Sequence, residues 1–121
     1  MPELPEVEHA RRLVERACLG QRITAVHPSV DPIVFERVTG NVVRTALIGV
    51  RVEGSARRGK HFWLELDRRP WPCFHLGMTG SFRFYCSEAR RPRFLVLEMV
   101  TERGIRIGYS DPRRLGRIRL R

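Results

Sequence analysis

Apolar residues near the N-terminus recur with the period of an α-helix. They occupy positions i, i+3, i+7 and i+10, with one further apolar residue beside them: Val7, Ala10, Val14, Ala17 and Leu13. This spacing gives a helix one apolar face, and acidic residues in its first turn suit the helix dipole. We therefore predict a helix over residues 6–19, with Gly20 as its C-terminal stop.

After Gly20 the apolar pattern changes to short runs of β type. They predict strands at residues 22–27, 42–53, 61–66, 73–76, 81–85, 93–100 and 104–109, and a last strand-like run at 118–121. Turn formers separate them at residues 39–41, 69–72 and 101–104. Many short strands, one helix and a single core favour a mainly β (α+β) fold. We expect an antiparallel β-sandwich flanked by the N-terminal α-helix, with room for a second short helix.

The composition is that of a folded protein with a large positive charge. Of the 121 residues, 42% are hydrophobic and 30% are charged, which excludes a disordered or fibrous chain. The formal net charge of +10 is typical of a protein that binds a polyanion. Of the 23 basic residues only Lys60 is a lysine. An amine can act in its uncharged form and a guanidinium cannot, so Lys60 is a candidate for such a role; its chance survival is an equal alternative.

Length and cysteine usage narrow the class of protein further. The chain has room for one domain, and its apolar runs are shorter than the ~20 residues of a membrane span. The acidic start does not resemble a signal peptide. Cys18, Cys73 and Cys86 form no CxxC pair, and the four histidines show no ligand spacing. We expect reduced thiols, a cytoplasmic location, no contact with a membrane, no metal site and no cofactor.

The first candidate for chemistry is the N-terminus itself. Removal of Met1, the usual fate of a methionine before proline, makes Pro2 a secondary amine that titrates near pH 8. A partly neutral amine of this kind can attack a sugar C1′ and give an iminium ion, with Glu3 beside it to move protons and Glu6 one helical turn away. The alternative is structural: the prolines stiffen the helix entry and the glutamates match its dipole.

Three further segments combine a turn with side chains suited to DNA. Lys60 follows a basic turn at residues 55–59 and precedes an apolar strand, so it could donate a proton or face a phosphate. Met78 lies between two glycines in a predicted tight turn, and Arg113 and Leu115 are two residues apart in another. An apolar side chain at a loop tip can act as a wedge between base pairs. Core packing for Met78 and simple solvation for the arginine-rich turn are the alternatives.

Four motifs in a fixed order indicate a family. The chain carries PELPEVE at residues 2–8, RRGK at 57–60, HLGMTG at 75–80 and DPRRLG at 111–116. In sequence, order and spacing these motifs resemble the formamidopyrimidine-DNA glycosylase / endonuclease VIII family, and the formamidopyrimidine branch in particular. The resemblance covers essentially the whole chain.

The resemblance implies base-excision repair of oxidised purines, formamidopyrimidine and 8-oxoguanine, by a bifunctional DNA glycosylase and AP lyase. Pro2 would form the Schiff base, Glu3 would transfer protons during ring opening, and Lys60 would act in β/δ-elimination. The remaining assignments are Glu6 and Glu8 as supporting acids, His75 as a phosphate contact, and Met78, Arg113 and Leu115 as the intercalating triad. The partner would be double-stranded DNA with an oxidised base or an abasic site, bound by a monomer.

The resemblance also shows departures. Family members continue into a helix–two-turns–helix domain and, in most, a four-cysteine zinc finger, and we expect residues 1–121 to form the N-terminal catalytic domain without them. Leu115 stands where the formamidopyrimidine branch usually has phenylalanine. Three hypotheses stay open: a catalytic domain, a non-catalytic DNA-binding module, and an inactive fragment that needs a C-terminal DNA-binding half.

Overall fold

The computed structural model describes residues 3–121. Within this range the regular elements are α1 (Leu4–Cys18), β1 (Ile23–Pro28), α2 (Gly40–Leu47), β2 (Val52–Arg58), β3 (His61–Leu66), β4 (Pro72–His75), β5 (Ser81–Tyr85), a short 3-10 helix (Glu88–Arg90), β6 (Leu95–Thr101), β7 (Arg106–Ser110) and β8 (Arg117–Leu120).

The strands form two four-stranded antiparallel sheets. The first sheet has the order β1-β6-β7-β5 and the second has the order β2-β3-β4-β8. The structure thus confirms the antiparallel β-sandwich, and all but one of the predicted strands lie within two residues of an observed one. The segment around Phe35 runs parallel to β8 and exchanges backbone hydrogen bonds with Ile118, which extends the second sheet at its β8 edge.

Helix α1 lies where the apolar spacing predicts it, and begins two residues earlier. Its apolar face buries Val7, Val14 and Cys18, and it contacts β2, β3 and β5. The helix ends at Cys18 because Gly20 adopts a left-handed conformation with φ of 76°. Gly20 N–H donates to the carbonyl of Val52, at the start of β2.

Helix α2 corrects the predicted strand over residues 42–53 and the predicted turn at 39–41. The Thr39 hydroxyl accepts a hydrogen bond from the backbone N–H of Val42 at 3.2 Å and so caps a helix. Val43 and Leu47, four residues apart, form its buried face against β1. The segment is rich in β-branched and aliphatic residues, which are common in strands. This composition led to the wrong prediction of a strand. Only its last residues, from Val52 onward, are a strand.

Aromatic side chains from both sheets fill the middle of the core. The rings of Phe62 and Phe74 lie 5.2 Å apart in neighbouring strands, and Phe82 reaches both of them from the other sheet at 5.6 and 5.2 Å. Tyr109 packs against Phe82 with ring centroids 5.2 Å apart. Offset and edge-on pairs of this kind add to the gain from burial alone. This cluster joins the two sheets.

The outer face of the first sheet carries a buried acid. Glu98 is fully buried, and its carboxylate accepts hydrogen bonds from Tyr85, Arg91 and Arg106. Burial alone raises the pKa of Glu98, but the hydrogen bonds and the two guanidinium charges lower it below its usual value. The cluster closes the outer face of β6 without an apolar layer.

Replacing Phe74 by alanine tests the central role of this cluster. We expect Phe74→Ala to lower the free energy of unfolding by about 3–5 kcal/mol, because a fully buried ring leaves a cavity. Phe84→Ala, at a residue of β5 that remains 36% exposed, should cost about 1 kcal/mol or less. Urea denaturation followed by tryptophan fluorescence measures both. Equal losses would show that the aromatic cluster does not dominate the core.

Candidate active site

One end of the second sheet collects the residues predicted to carry chemistry. The register aligns Arg58, His61, His75 and Arg117 in a single row across β2, β3, β4 and β8. The β2–β3 turn with Lys60, the loop after β4 and the loop before β8 all leave the sheet at this row. Residues that are distant in sequence therefore meet at one end of the sandwich.

The direction of α1 brings its N-terminus to the same end. Gly20, after the helix, bonds to the start of β2, whereas Glu8, near the beginning of the helix, accepts a hydrogen bond from Arg57, near the end of β2, at 3.0 Å. The helix therefore runs antiparallel to β2 and starts beside the β2–β3 turn. Glu3 is the extended N-cap of the helix and Glu6 lies in its first turn, both exposed. Pro2 lies outside the described residues.

Glu8 is held by three guanidinium groups. Arg11, Arg12 and Arg57 donate to its carboxylate at 2.6 to 3.0 Å. These hydrogen bonds lower the pKa of Glu8 far below its usual value, so the carboxylate carries no proton near neutral pH. Arg11 also donates to Ser55 at 2.8 Å. These contacts fasten α1 to β2, and the role of Glu8 as a supporting acid stays a prediction.

His75 lies directly across from His61, and the two imidazole rings are 4.7 Å apart. The Nδ1 atom of His75 accepts the backbone N–H of Gly77 at 3.2 Å, so in the neutral ring the proton resides on Nε2. Burial lowers the pKa of His75, and the positive charges of Lys60, Arg117 and Arg119 lower it further. The neutral ring therefore has one donor N–H that Gly77 does not use.

The loop after β4 and the loop before β8 are joined through the buried carboxylate of Asp111. Its Oδ1 accepts hydrogen bonds from the Thr79 hydroxyl at 2.6 Å and the Arg114 N–H at 3.0 Å. Its Oδ2 accepts from the Tyr109 hydroxyl at 2.9 Å and the Gly116 N–H at 2.8 Å. Burial raises the pKa of Asp111, but these four donors lower it below its usual value. A single carboxylate thus fixes both loops.

The two loops also touch through their backbones. Gly77 has φ of 63°, and a Cβ there would lie 2.6 Å from the amide nitrogen of Gly116. A side chain at this position would separate the loops, so only glycine fits. Met78 and Leu115 remain 48% and 39% exposed, and Arg113 is exposed as well. The predicted triad is therefore presented to solvent by adjacent loops, and the core alternative for Met78 is wrong.

The residues that support these side chains do not stand out in the sequence. Arg114, with φ of 57°, donates two hydrogen bonds to Asp31 at 2.9 and 3.0 Å, and this ties the loop to the segment beside β8. Asp31 and Arg114 are 83 residues apart, and neither lies in a pattern that announces the other. Asp111 is recognisable from the sequence, because it precedes a proline in a turn-forming segment, and an aspartate in such a place commonly accepts hydrogen bonds from backbone N–H groups.

The described residues contain neither a membrane-spanning helix nor a metal-type cluster. None of the helices within residues 3–121 is both long and apolar enough to cross a membrane. In the same part of the chain, no three His, Cys, Asp or Glu side chains are grouped as a metal site would require.

Known proteins share both the sequence and the fold. Residues 1–118 match the family model for the formamidopyrimidine-DNA glycosylase N-terminal domain. Formamidopyrimidine-DNA glycosylase of Acidiphilium cryptum is 40% identical over 121 residues, which cover 99% of this chain and 42% of that protein. The Arabidopsis thaliana enzyme of the same name is 32% identical over 133 residues, covering 99% of this chain and 34% of that one.

Solved structures agree. MutM in complex with DNA containing carbocyclic 8-oxo-G superimposes with a TM-score of 0.88 at 30% identity, covering 99% of this chain and 44% of that one. Lactococcus lactis formamidopyrimidine-DNA glycosylase bound non-covalently to DNA with an AP site gives 0.88 at 29% identity, covering 99% and 45%. The two-sheet sandwich and the family match together place this chain in the class of formamidopyrimidine-DNA glycosylase N-terminal domains. The chain belongs to the formamidopyrimidine-DNA glycosylase family, and it spans less than half the length of these relatives.

Replacing Asp111 by asparagine tests the anchor of the two loops. The amide nitrogen cannot accept, so two of the four donors lose their partner, and we expect a loss of about 1–3 kcal/mol in unfolding free energy at neutral pH. A carboxylate with a lowered pKa stabilises the fold above the pKa of the unfolded state. The contribution disappears as the pH falls, so the difference between Asp111→Asn and the parent should shrink below about pH 4.

Asp67→Asn is the matched control, because Asp67 is exposed: one oxygen accepts the Arg51 N–H, and the other lies 3.7 Å from the Arg22 guanidinium without a hydrogen bond. Its unfolding free energy should change by about 0.5 kcal/mol or less. Urea unfolding at several pH values measures both variants. A loss for Asp111→Asn that stays constant down to pH 2 would contradict the assignment of a charged, hydrogen-bonded carboxylate.

Proposed function

We propose that this chain is the catalytic N-terminal domain of a bifunctional DNA glycosylase and AP lyase that removes oxidised purines, formamidopyrimidine and 8-oxoguanine, from double-stranded DNA. The observation that carries the proposal is the convergence at one end of the sandwich. The beginning of α1, the Lys60 turn, His75 and the loop tips with Met78, Arg113 and Leu115 meet there. Three free cysteines suit a cytoplasmic protein.

The proposed reaction needs only the amine and side chains, without a cofactor. The neutral nitrogen of Pro2 bonds to C1′ while the bond from C1′ to the damaged base breaks, and the base leaves with a proton. Glu3 protonates the ring oxygen as the sugar opens, which gives an iminium ion between Pro2 and C1′. Loss of a C2′ proton then expels the 3′ phosphate, and a second elimination expels the 5′ phosphate. Lys60 acts in these eliminations, and hydrolysis of the iminium restores the amine.

The exposed loop tips suit the handling of a flipped nucleotide. Extruding a base costs a few kcal/mol of lost stacking and pairing, and apolar wedges offset part of this cost. Met78 and Leu115 are apolar, exposed and mounted on a support that does not involve their own side chains. Arg113, between them in the triad, is a cation that can pair with the base left without its partner. His75 and the surrounding arginines suit the phosphates, and we propose that the domain binds as a monomer.

Borohydride trapping on a duplex with an abasic site tests the nucleophile. Reduction converts the iminium ion into a stable crosslink, and mass spectrometry should place it on the peptide that begins with Pro2. A variant with one residue added before Pro2 should form no adduct, whereas Lys60→Ala should still form it and cut the strand more slowly.

The position of the adduct decides between the hypotheses. An adduct on Lys60 would show that Pro2 is not the nucleophile, while the assignment as a lyase would still hold. No adduct, with loss of Met1 verified by intact mass, would mean that residues 1–121 are a DNA-binding module or a fragment that needs its C-terminal half. Recovery of trapping when a C-terminal domain is supplied would identify the second of these.

Shortening the wedge side chains should weaken binding without weakening the fold. Met78→Ala and Leu115→Ala should each reduce the affinity for an abasic duplex about tenfold, while the unfolding free energy changes by about 0.5 kcal/mol or less. Leu115→Phe should tighten binding, since a ring stacks on the exposed bases. Fluorescence anisotropy measures the affinity. Val30→Ala is the control, because Val30 is an exposed apolar residue outside the two loops; an equal loss there would contradict a specific wedge.

A further inference from the structure

The imidazole of His61 has no part in the proposed reaction, yet it is placed beside a proposed phosphate contact. His61 and His75 occupy directly paired positions of β3 and β4 and project from the same face of the sheet. Their ring centroids are 4.7 Å apart with an angle of 47° between the planes. Both residues are only partly exposed. Two imidazoles thus form one compact pair at the end of the sheet.

Cations surround this pair. Arg58 is paired with His61, and Arg117 is paired with His75, in the same row of the sheet. The charges that act on one or both rings are those of Lys60, Arg117, Arg119 and Arg121, with Glu36 as the opposing acid. Glu36 lies 3.9 Å from Arg119, which offsets its charge. The field at the two rings is therefore positive, and it favours an anion.

The hydrogen bonds leave the His75 ring available to such an anion. Gly77 uses Nδ1 of His75, so Nε2 is the donor of the neutral ring. One guanidinium nitrogen of Arg117 is already engaged, because it donates to the carbonyls of Gly116 at 2.7 Å and Arg114 at 3.2 Å. The Nε2 N–H of His75 is thus a donor on this face that a phosphate can accept from, within the positive field of the neighbouring cations.

The protonation of the pair depends on what binds there. Burial lowers the pKa of both histidines, and the neighbouring cations lower it further, so both rings are neutral near pH 7. A phosphodiester between them has the opposite effect, since a negative charge favours the imidazolium form. Two imidazolium rings at this distance repel each other, so one added proton is the limit.

We infer that His61 and His75 together form a binding site for a DNA phosphodiester and that the pair takes up one proton when the phosphate binds. The inference rests on the proposed function for the identity of the ligand. It adds His61 to the binding surface and makes affinity for DNA dependent on pH. In the complex the phosphate is then held by an imidazolium, and the ring becomes neutral again when the phosphate leaves.

The test uses a duplex with one tetrahydrofuran abasic analogue, which has no aldehyde and so forms no iminium. For the parent chain we expect the affinity to rise about three- to tenfold between about pH 8 and pH 6.5, the limit for one proton being tenfold per pH unit. His61→Gln keeps a hydrogen-bond donor and cannot be protonated, so its affinity should change less than half as much on a logarithmic scale. The double variant His61→Gln/His75→Gln should show almost no rise.

His27→Gln is the matched control, since His27 is a half-exposed histidine of the other sheet; its pH dependence should equal that of the parent. Isothermal titration calorimetry in buffers of different ionisation enthalpy counts the protons taken up on binding. Uptake near one proton for the parent and a clear reduction for His61→Gln support the site. Equal uptake by the parent and His61→Gln overturns it.

The outcomes separate this site from the proposed reaction. Trapping of an adduct at Pro2 together with an unchanged pH dependence in His61→Gln would overturn the phosphate site and keep the glycosylase. Binding that loses its pH dependence in His61→Gln, without any adduct on abasic DNA, would keep the site and overturn the enzyme. Failure to bind any duplex would overturn both.

Discussion

The candidate site depends on one buried carboxylate, that of Asp111. An isolated charge in this position would be costly, and it is tolerated because four donors surround it, three from the two loops and one from β7. Two of these donors, Tyr109 and Thr79, belong to a strand and to the opposite loop, so the carboxylate connects core and surface. The glycines of both loops, Gly77 and Gly116, leave the space in which the backbones approach. Loop conformation is in this way set by the buried carboxylate and by the Arg114–Asp31 contact, and not by the side chains at the loop tips.

The second constraint is the register of the second sheet. Antiparallel pairing returns β3, β4 and β8 to the same row, and the turn and loops that leave this row carry most of the candidate residues. Helix α1 is held antiparallel to β2 by Glu8 and Arg57 at one end and by the bond between Gly20 and Val52 at the other. A shift of α1 by one turn would move the N-terminus by about 5 Å relative to Lys60. The ion pair between Glu8 and Arg57 thus fixes the position of α1 even though it is close to solvent.

Much of the fold was predictable from the sequence, and the one wrong element, helix α2, has a local cause. Strands such as His61–Leu66 alternate buried and half-buried positions, and α1 shows a regular apolar stripe, so period alone identifies them. The segment around Val43 has valines that favour strands by composition, whereas the capping hydroxyl of Thr39 and the packing against β1 decide for a helix.

The candidate site was predictable only in part, through motifs. The tips with Met78 and Leu115 stand out because glycines and an arginine-rich turn surround them. Asp31, Arg114 and the imidazole pair depend on contacts between segments far apart in the chain, and no period or spacing encodes these contacts. Such contacts become visible only when the strand register is known.

The division between loop support and loop tip has a consequence for how this family can diversify. None of the hydrogen bonds that fix the two loops uses the side chain of Met78, Arg113 or Leu115. The tips can therefore be exchanged during evolution with little cost in folding. In the proposed function, they are the part of the domain that can adapt to the base left opposite the lesion. Leucine at position 115, where the family resemblance leads us to expect phenylalanine, fits such an exchange. The fold of the two loops is thus independent of the side chains that they present.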